Sequence, residues 1–169
     1  MGRINAGIAM CVNAHTSLSM FPIYKFGSDE QKEKYLIPGI AGEKIGALGL
    51  TEPNAGSDAR SIRSQATKKG DKYILNGTKT WITNGTMCDY AVVAAYTDKS
   101  KKGHGISIFV VDKGAPGFSV SGKMHKLGHR SADTSELIFE NCEVPEENLR
   151  VGEGGFQGAM ETLLGARIT

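Results

Sequence analysis

The 25 residues over 72–96, KYILNGTKTWITNGTMCDYAVVAAY, decide the fold class of this chain. They alternate short apolar, β-branched and aromatic runs with two Asn-Gly pairs, and Asn-Gly between such runs is a strong signal for a turn. The pattern predicts a two-residue hairpin turn at Asn76-Gly77 and a further turn at Asn84-Gly85. With the runs that follow, it predicts strands over 72–75, 78–83, 90–96, 106–111, 118–120 and 136–139. We therefore expect an antiparallel β-barrel or sandwich rather than a parallel α/β sheet.

Helical patterns flank this β region on both sides. Apolar residues recur with a period of about 3.6 from Ile4 to Phe21, which predicts a first helix. Ser28 and Gln31 form a capping box for a second helix, which Pro38-Gly39 is expected to end. After glycines at 152–155, a third apolar face runs from Phe156 and the chain stops without a C-cap signal. The fold class is thus α+β, with expected domains over 1–45 (helical), 46–154 (β-barrel) and 155–169 (the truncated start of a helical domain).

Length, charge and cysteine content exclude several classes of protein. A chain of 169 residues is long enough for one domain with a hydrophobic core. Its net charge of +2 is too small to indicate binding to nucleic acid or to an anionic membrane. The longest apolar run falls short of the roughly 18 residues of a membrane span. Three distant cysteines, Cys11, Cys88 and Cys142, fit neither a disulfide framework nor a zinc cluster and indicate a reducing compartment. His125 and His129 lie four residues apart in a loop without a partner ligand, so we expect no metal site.

Two stretches are candidates for a binding site. The loop 48–58 follows an apolar strand and crowds Pro, Asn, Gly, Ser and Asp together, so its backbone N–H groups and hydroxyls could bind an anion. The alternative is a solvated surface turn. In the stretch 80–84, the single tryptophan, Trp81, shares a strand face with Thr83, which would suit a planar cofactor. The alternative there is a partly buried structural tryptophan. The basic cluster 99–103 is interpreted as a solvated hairpin tip.

The same stretches closely resemble the signatures of the acyl-CoA dehydrogenases, most of all the bacterial short-chain, butyryl-CoA-type branch. The resemblance covers nearly the whole chain and is carried, in order, by FGSDEQK (26–32), GEK (42–44), GLTEPNAGSD (49–58), NGTKTWITNG (76–85), LGHR (127–130), EVP (143–145) and LLGAR (163–167). It implies two helical domains around a central β-barrel, and FAD as the cofactor. The residues that the resemblance places at the cofactor are Leu48, Leu50, Thr51, Gly56, Ser57, Trp81, Ile82 and Thr83.

The resemblance also implies individual roles. Thr51 would bind the pyrimidine end of the flavin, and Ser57 would reach the pyrophosphate and approach the acyl-CoA. Trp81 would pack beside the isoalloxazine, and Thr83 would lie near N5. Arg167 would line the acyl-CoA pocket, in a helix where Leu164 stands in place of an aspartate that contacts the substrate in many members.

The reaction implied is α,β-dehydrogenation of an acyl-CoA thioester to a trans-2-enoyl-CoA. A carboxylate base removes the α-proton, a hydride goes to the flavin, and electrons pass to electron-transfer flavoprotein. The resemblance places the base beyond Thr169, whereas Glu52 belongs to the architecture of its loop. It further implies a homotetrameric intact parent, cytoplasmic in bacteria or else mitochondrial. The alternatives are a non-catalytic flavin- or CoA-binding β-domain, an acyl-CoA oxidase or glutaryl-CoA-type relative, and a structural module that self-associates through its apolar helix faces.

Overall fold

The computed structural model describes residues 2–151 and 155–166, and it begins with one long helical run. Helix α1 (Ala6–Asn13) continues through wider π-type turns over Ala14–Met20 into α2 (Phe21–Phe26). The run starts where the Asn5 side chain accepts a hydrogen bond from the Ile8 N–H at 3.1 Å, as an N-cap does. It ends at Gly27, which is extended, so the helix is one turn longer than the apolar spacing predicts.

Before α2, this run buries small residues, and in α2 it also buries Ile23 completely. Gly7 and Ala14 are buried, while Ile4 and Ile8, which belong to the predicted apolar stripe, are 95% and 46% exposed. A Cβ on Gly7 would lie 2.7 Å from the Ala132 nitrogen, so the helix can approach the β region closely only because it has no side chain there. Val12 of the same stripe is also exposed, whereas Cys11, His15 and Leu18 are half-buried, so only part of the predicted stripe faces outward.

A second helical run follows at Ser28, whose hydroxyl accepts a hydrogen bond from the Gln31 N–H at 3.3 Å. It comprises α3 (Asp29–Gln31), π-type turns over Lys32–Leu36, and α4 (Ile37–Ile40). The capping prediction is half right, because the Gln31 amide donates to the Glu147 carbonyl instead of closing the box. The prediction that Pro38-Gly39 ends the helix is wrong. Pro38 lies in the first turn of α4, where its missing N–H is not needed.

In the described part of the chain, eight strands form one curled, mixed sheet. They are β1 (Gly46–Gly49), β2 (Gln65–Lys69), β3 (Lys72–Thr83), β4 (Tyr90–Tyr96), β5 (Ile106–Asp112), β6 (Phe118–Val120), β7 (Thr134–Pro145) and β8 (Leu149–Val151). Their order is β6-β7-β3-β2-β4-β5-β8, with β1 added against β4. The helix α5 (Gly155–Ala166) follows and packs on this sheet.

The α+β class is confirmed, but the expectation of a purely antiparallel sheet needs a correction. Strands β1 and β2 both pair with β4 in parallel, while the remaining pairings are antiparallel. Parallel neighbours cannot be joined by a tight turn, and here the whole β2–β3 hairpin intervenes between β1 and β4. The crossover brings the end of β1 beside β3.

The predicted hairpin at Asn76-Gly77 is wrong. Strand β3 continues through both residues, and its hairpin partner is β2, joined through Gly70 at φ +66. Gly77 has φ +148 and lies at a register shift between β3 and β7, so its freedom serves a bulge instead of a turn. The turn at Asn84-Gly85 is confirmed, with Asn84 at φ 67 and its carbonyl accepting from the Cys88 N–H at 2.7 Å.

The core has two parts, one on each face of the sheet. Strand β4 is buried along its whole length because the curled sheet covers one face and the helices cover the other. Phe109 and Leu75 lie on the inner face, whereas Tyr35 and Tyr90 pack between helix and sheet with ring centroids 5.0 Å apart. Within the described ranges, no helix is both long enough and apolar enough to cross a membrane.

Candidate functional site

A pocket of about 320 Å³ lies where the end of β1, the loop after it and the end of β3 meet helices from both ends of the chain. All eight residues that the sequence analysis places at a cofactor line it, namely Leu48, Leu50, Thr51, Gly56, Ser57, Trp81, Ile82 and Thr83. Ala14 and Leu18 close one side, and Met160 and Leu163 of α5 close another. The two candidate stretches, some 25–30 residues apart in sequence, therefore form one wall.

The loop over 50–57 is a tight structure with an open crest. Glu52 and Ala55 exchange both backbone hydrogen bonds, at 2.9 and 3.0 Å, which folds the loop back on itself. Gly56 and Ser57 are exposed beyond this bridge, and no described atom lies within 4 Å of the place a Gly56 Cβ would take. The loop thus presents a hydroxyl and bare backbone at the mouth of the pocket.

A buried ion pair lies beneath the loop. Lys79 Nζ is 2.6 Å from Glu52 Oε1, and the two side chains are 0% and 2% exposed. Lys79 also donates to the Leu50 carbonyl at 3.2 Å, and Glu52 accepts from the Ser64 N–H at 3.0 Å and the Arg63 N–H at 2.5 Å. Every one of these bonds ties the loop to β3 or to the chain that enters β2.

The charges of this pair follow from its surroundings. Burial alone would raise the pKa of Glu52, but the charge and hydrogen bonds of its neighbours, Lys79 first, outweigh burial and hold that pKa below its usual value. Burial also lowers the pKa of Lys79 to about 8, against the opposing effect of the Glu52 charge. Glu52 is therefore an ionised, fully engaged carboxylate. These contacts agree with the expectation that Glu52 belongs to the architecture of its loop.

Trp81 lies in the wall in an unusual conformation. Its φ is 60°, it sits at a register shift between Lys79 and Ile82, and it is 63% exposed. A bulky residue with positive φ inside a strand is strained, and such strain concentrates at functional sites. The bulge interrupts the regular alternation of side chains between the two faces of the strand, from which Trp81 and Thr83 were predicted to share a face. Trp81 and Thr83 nevertheless both line this pocket.

A second, larger cavity of about 860 Å³ adjoins the first and shares Met160 with it. Its rim carries the basic residues Arg60, Lys99, Lys102 and His104, and Asp58 is the acidic residue of the lining. The Arg60 guanidinium lies over the Phe156 ring, 5.1 Å from its centroid. Residues of the stretch 99–103, which the sequence predicts to be a solvated hairpin tip, thus line a cavity that no local pattern indicated.

Three further predictions concern Arg167, Leu164 and the absence of a metal site. Arg167 lies outside the described residues, and Leu164 belongs to α5 but its side chain is not described. Among the residues that the structure describes, no group of three or more His, Cys, Asp and Glu side chains is placed to hold a metal ion.

The fold and the pocket define the class of protein. The sheet is the middle domain of the acyl-CoA dehydrogenases, since the family description "Acyl-CoA dehydrogenase, middle domain" matches residues 47–142. The description "Acyl-CoA dehydrogenase, N-terminal domain" matches residues 1–43. The chain belongs to the acyl-CoA dehydrogenase family, which confirms the resemblance seen in the sequence.

Three proteins show which members of the family this chain is similar to. The chain is 48% identical over 170 residues to the short-chain specific acyl-CoA dehydrogenase of Megasphaera elsdenii, covering 99% of this chain and 44% of that protein. A chain from the solved structure described as "Electron transferring flavoprotein of Acidaminococcus fermentans" matches with a TM-score of 0.94 and 53% identity, covering 96% of this chain and 43% of that one. A glutaryl-CoA dehydrogenase from Mycobacterium smegmatis, solved with FADH2, has a TM-score of 0.89 and 41% identity, covering 96% and 41%. This chain thus spans less than half the length of these relatives.

Proposed function

We propose that this chain forms the flavin-facing and acyl-CoA-facing wall of a short-chain acyl-CoA dehydrogenase. The observation that carries the proposal is the convergence of two sequence-distant stretches, 48–57 and 81–83, on one pocket. The activity proposed for the whole protein is FAD-dependent α,β-dehydrogenation of a short acyl-CoA to a trans-2-enoyl-CoA, with electrons passed to electron-transfer flavoprotein. The short-chain relative and the high likeness to the A. fermentans chain support this choice.

The pocket has the chemistry that a flavin requires. A flat heteroaromatic ring needs apolar walls with a few polar groups at its edge. Leu48, Leu50 and Ile82 supply apolar wall, and the Trp81 ring supplies a flat neighbour. Hydroxyls of Thr51, Ser57 and Thr83 stand at the edges of the same space, where they can donate to ring carbonyls or accept from a ring N–H. When bound, FAD supplies the hydride acceptor of the reaction.

The adjoining cavity suits the nucleotide end of an acyl-CoA. That end carries several phosphate charges, and Arg60, Lys99 and Lys102 outnumber Asp58 on the rim. Ser57 belongs to the wall of the first pocket, one residue from Asp58 on the wall of the second. A thioester ligand that runs along this seam would place its acyl part near the flavin and its phosphates on the basic rim.

We propose that the general base is not among these residues. Glu52 is held by Lys79 and two backbone N–H groups, and Asp58 accepts hydrogen bonds from the Arg60 N–H and the Ser61 hydroxyl. We therefore propose that this chain binds ligands but does not turn over substrate by itself, and that the base belongs to the remainder of the homotetrameric parent. The same observation favours a second candidate, a β-domain that binds flavin or CoA without redox chemistry. Three free cysteines suit a reducing compartment, and we propose a cytoplasmic location.

A titration with FAD tests the site. We expect FAD to quench the Trp81 emission and to acquire a shifted visible band in the presence of the chain. Thr83→Val should weaken FAD binding roughly 2–10-fold, the usual worth of one hydrogen bond. Thr78→Val is the matched control, because Thr78 lies on the same strand, is similarly half-buried and does not line the pocket.

Two outcomes separate the candidates. Dye reduction with butyryl-CoA by the parent protein, together with FAD binding by this chain, would support the dehydrogenase. FAD binding by this chain, without any turnover by the parent protein, would support the second candidate, a non-catalytic binding domain. Equal FAD affinities for Thr83→Val and Thr78→Val would contradict the proposed flavin site.

A further inference from the structure

We infer that the Glu52–Lys79 ion pair is a positioning device that locks the 50–57 loop onto the bulge of β3, so that the pocket wall keeps a single geometry. Part of this inference rests on the proposed function, since it concerns the segments proposed to contact the flavin. The locking itself concerns the chain without ligand.

The bonds of the pair converge on the two segments that form the wall. Lys79 is two residues before Trp81, and its ammonium holds both the Glu52 carboxylate and the Leu50 carbonyl. Next to this contact, the Thr80 N–H donates to the Thr51 carbonyl at 2.9 Å. Loop and bulge are thus attached at two neighbouring points, one ionic and one through the backbone.

The second oxygen of the carboxylate extends the lock to the chain that enters β2. Glu52 Oε2 accepts from the Arg63 N–H, and Oε1 accepts from both the Ser64 N–H and Lys79. The Glu52 side chain therefore holds the chain at 63–64, while Lys79 holds the loop at Leu50 and Glu52. This leaves the exposed crest at Gly56 and Ser57 supported on both sides.

Space for the lysine is provided by the neighbouring strand. A Cβ on Gly49 would lie 3.1 Å from Lys79 Cγ, so a larger residue on β1 would press on the lysine stem. The lysine therefore crosses under the loop through a place that β1 leaves open. Its full burial is a consequence of this path.

Stability alone does not account for such a pair. Removing two charges from water costs several kcal/mol per ion, and uncharged replacements of similar size are often neutral or stabilising. The lowered pKa of Lys79 agrees, because it shows that burial penalises the ammonium more than Glu52 favours it. What an uncharged pair cannot reproduce is the simultaneous hold on a carboxylate, a carbonyl and two N–H groups.

The test compares the double variant Lys79→Met/Glu52→Gln with Lys72→Met/Glu143→Gln in the 169-residue chain. Lys72 and Glu143 form an ion pair of 2.7 Å on β3 and β7, but with side chains 35% and 45% exposed, so they are a matched surface control. Three properties are measured without ligand: the urea midpoint, the Trp81 emission spectrum, and hydrogen exchange of the Thr80 amide.

We expect the double variant at 79 and 52 to keep a urea midpoint close to that of the wild type. The exchange rate of its Thr80 amide should rise about tenfold or more, because losing the net free energy of one hydrogen bond makes local opening more frequent by about that factor. The Trp81 emission should shift as the bulge relaxes. The surface variant should change neither signal.

Two results would overturn the inference. One is a folded double variant with unchanged Thr80 exchange and Trp81 emission, because the geometry would then persist without the pair. The other is a double variant that does not fold, since the pair would then be a requirement of the core. These readouts need no flavin, so a wild-type chain that fails to bind FAD would refute the proposed function and leave this inference to be decided by Thr80 and Trp81.

Discussion

Gly77→Ala should destabilise this protein strongly, although it adds one methyl group to a strand. Gly77 has φ +148, where a side chain costs about 1–3 kcal/mol in backbone strain. Its new Cβ would lie 2.1 Å from Ser64 Oγ and 2.8 Å from Ser64 Cα, and overpacking of this kind costs about 1–3 kcal/mol more. The sum is about 4 kcal/mol. With a urea dependence of about 2 kcal/mol/M, the midpoint should fall by about 2 M.

The control is Gly70→Ala in the β2–β3 turn. Gly70 also has a positive φ, +66, but no described atom lies within 4 Å of its Cβ position, so only the strain of about 1–2 kcal/mol applies. Ser64→Gly combined with Gly77→Ala should recover part of the loss by removing Oγ and Cβ. Equal urea midpoints for Gly77→Ala and Gly70→Ala would refute the reasoning, because the packing of Ser64 on Gly77 would then have no energetic consequence.

Other predictions concern the ion pair, the core and the basic rim. The pKa of Glu52 is lowered in the folded state, so the stability it contributes is complete above its unfolded value of 4.5 and is lost as pH falls through the folded value. Folding lowers the pKa of Lys79 from 10.5 to about 8, so the unfolded chain binds more protons between these pH values and the free energy of unfolding should rise from pH 8 to pH 10.5. Urea midpoints measured against pH, with Lys79→Met/Glu52→Gln as the reference, test the direction of both pH effects. Phe109→Ala, at a fully buried ring, should cost about 3–5 kcal/mol in the same urea assay, more than any single surface change. Lys102→Ala should weaken CoA binding in calorimetry and flatten its salt dependence, whereas Lys68→Ala, at a lysine that does not line the cavity, should do neither.

Strands with strong local signals were predictable from the sequence. Strand β4 has the predicted bounds, and β5 is one residue longer than expected, because continuous apolar runs between turn residues leave little freedom. The Asn84-Gly85 turn follows from local chemistry in the same way. The Asn76-Gly77 signal is locally identical, yet Gly77 serves a bulge that packs under Ser64, and this contact depends on β2, for which no strand was predicted.

Predictions that depended on tertiary pairing were less successful. Periodicity correctly indicated the N-terminal helix, but it could not show that Gly7 and Ala14 face the sheet while Ile4 and Ile8 face away. The basic cavity brings 58–60, 99–104 and α5 together. These segments are far apart in the sequence, so no local pattern shows that they meet.

Two residues that break ordinary rules, Trp81 and Lys79, lie beside the 50–57 loop, although positive φ also occurs away from it, at Lys102 and His129. Asn84 and Asn141 have positive φ but belong to a type that tolerates it, whereas Trp81 is a bulky aromatic in the middle of a strand. Its ring is exposed while a lysine two residues earlier is fully buried, which inverts the usual placement of both types. Each departure costs stability, and each is adjacent to the same loop. A strained aromatic and a buried charge thus adjoin the proposed flavin wall. Proteins commonly break local rules at functional sites, so this placement supports the proposed function independently of the family match.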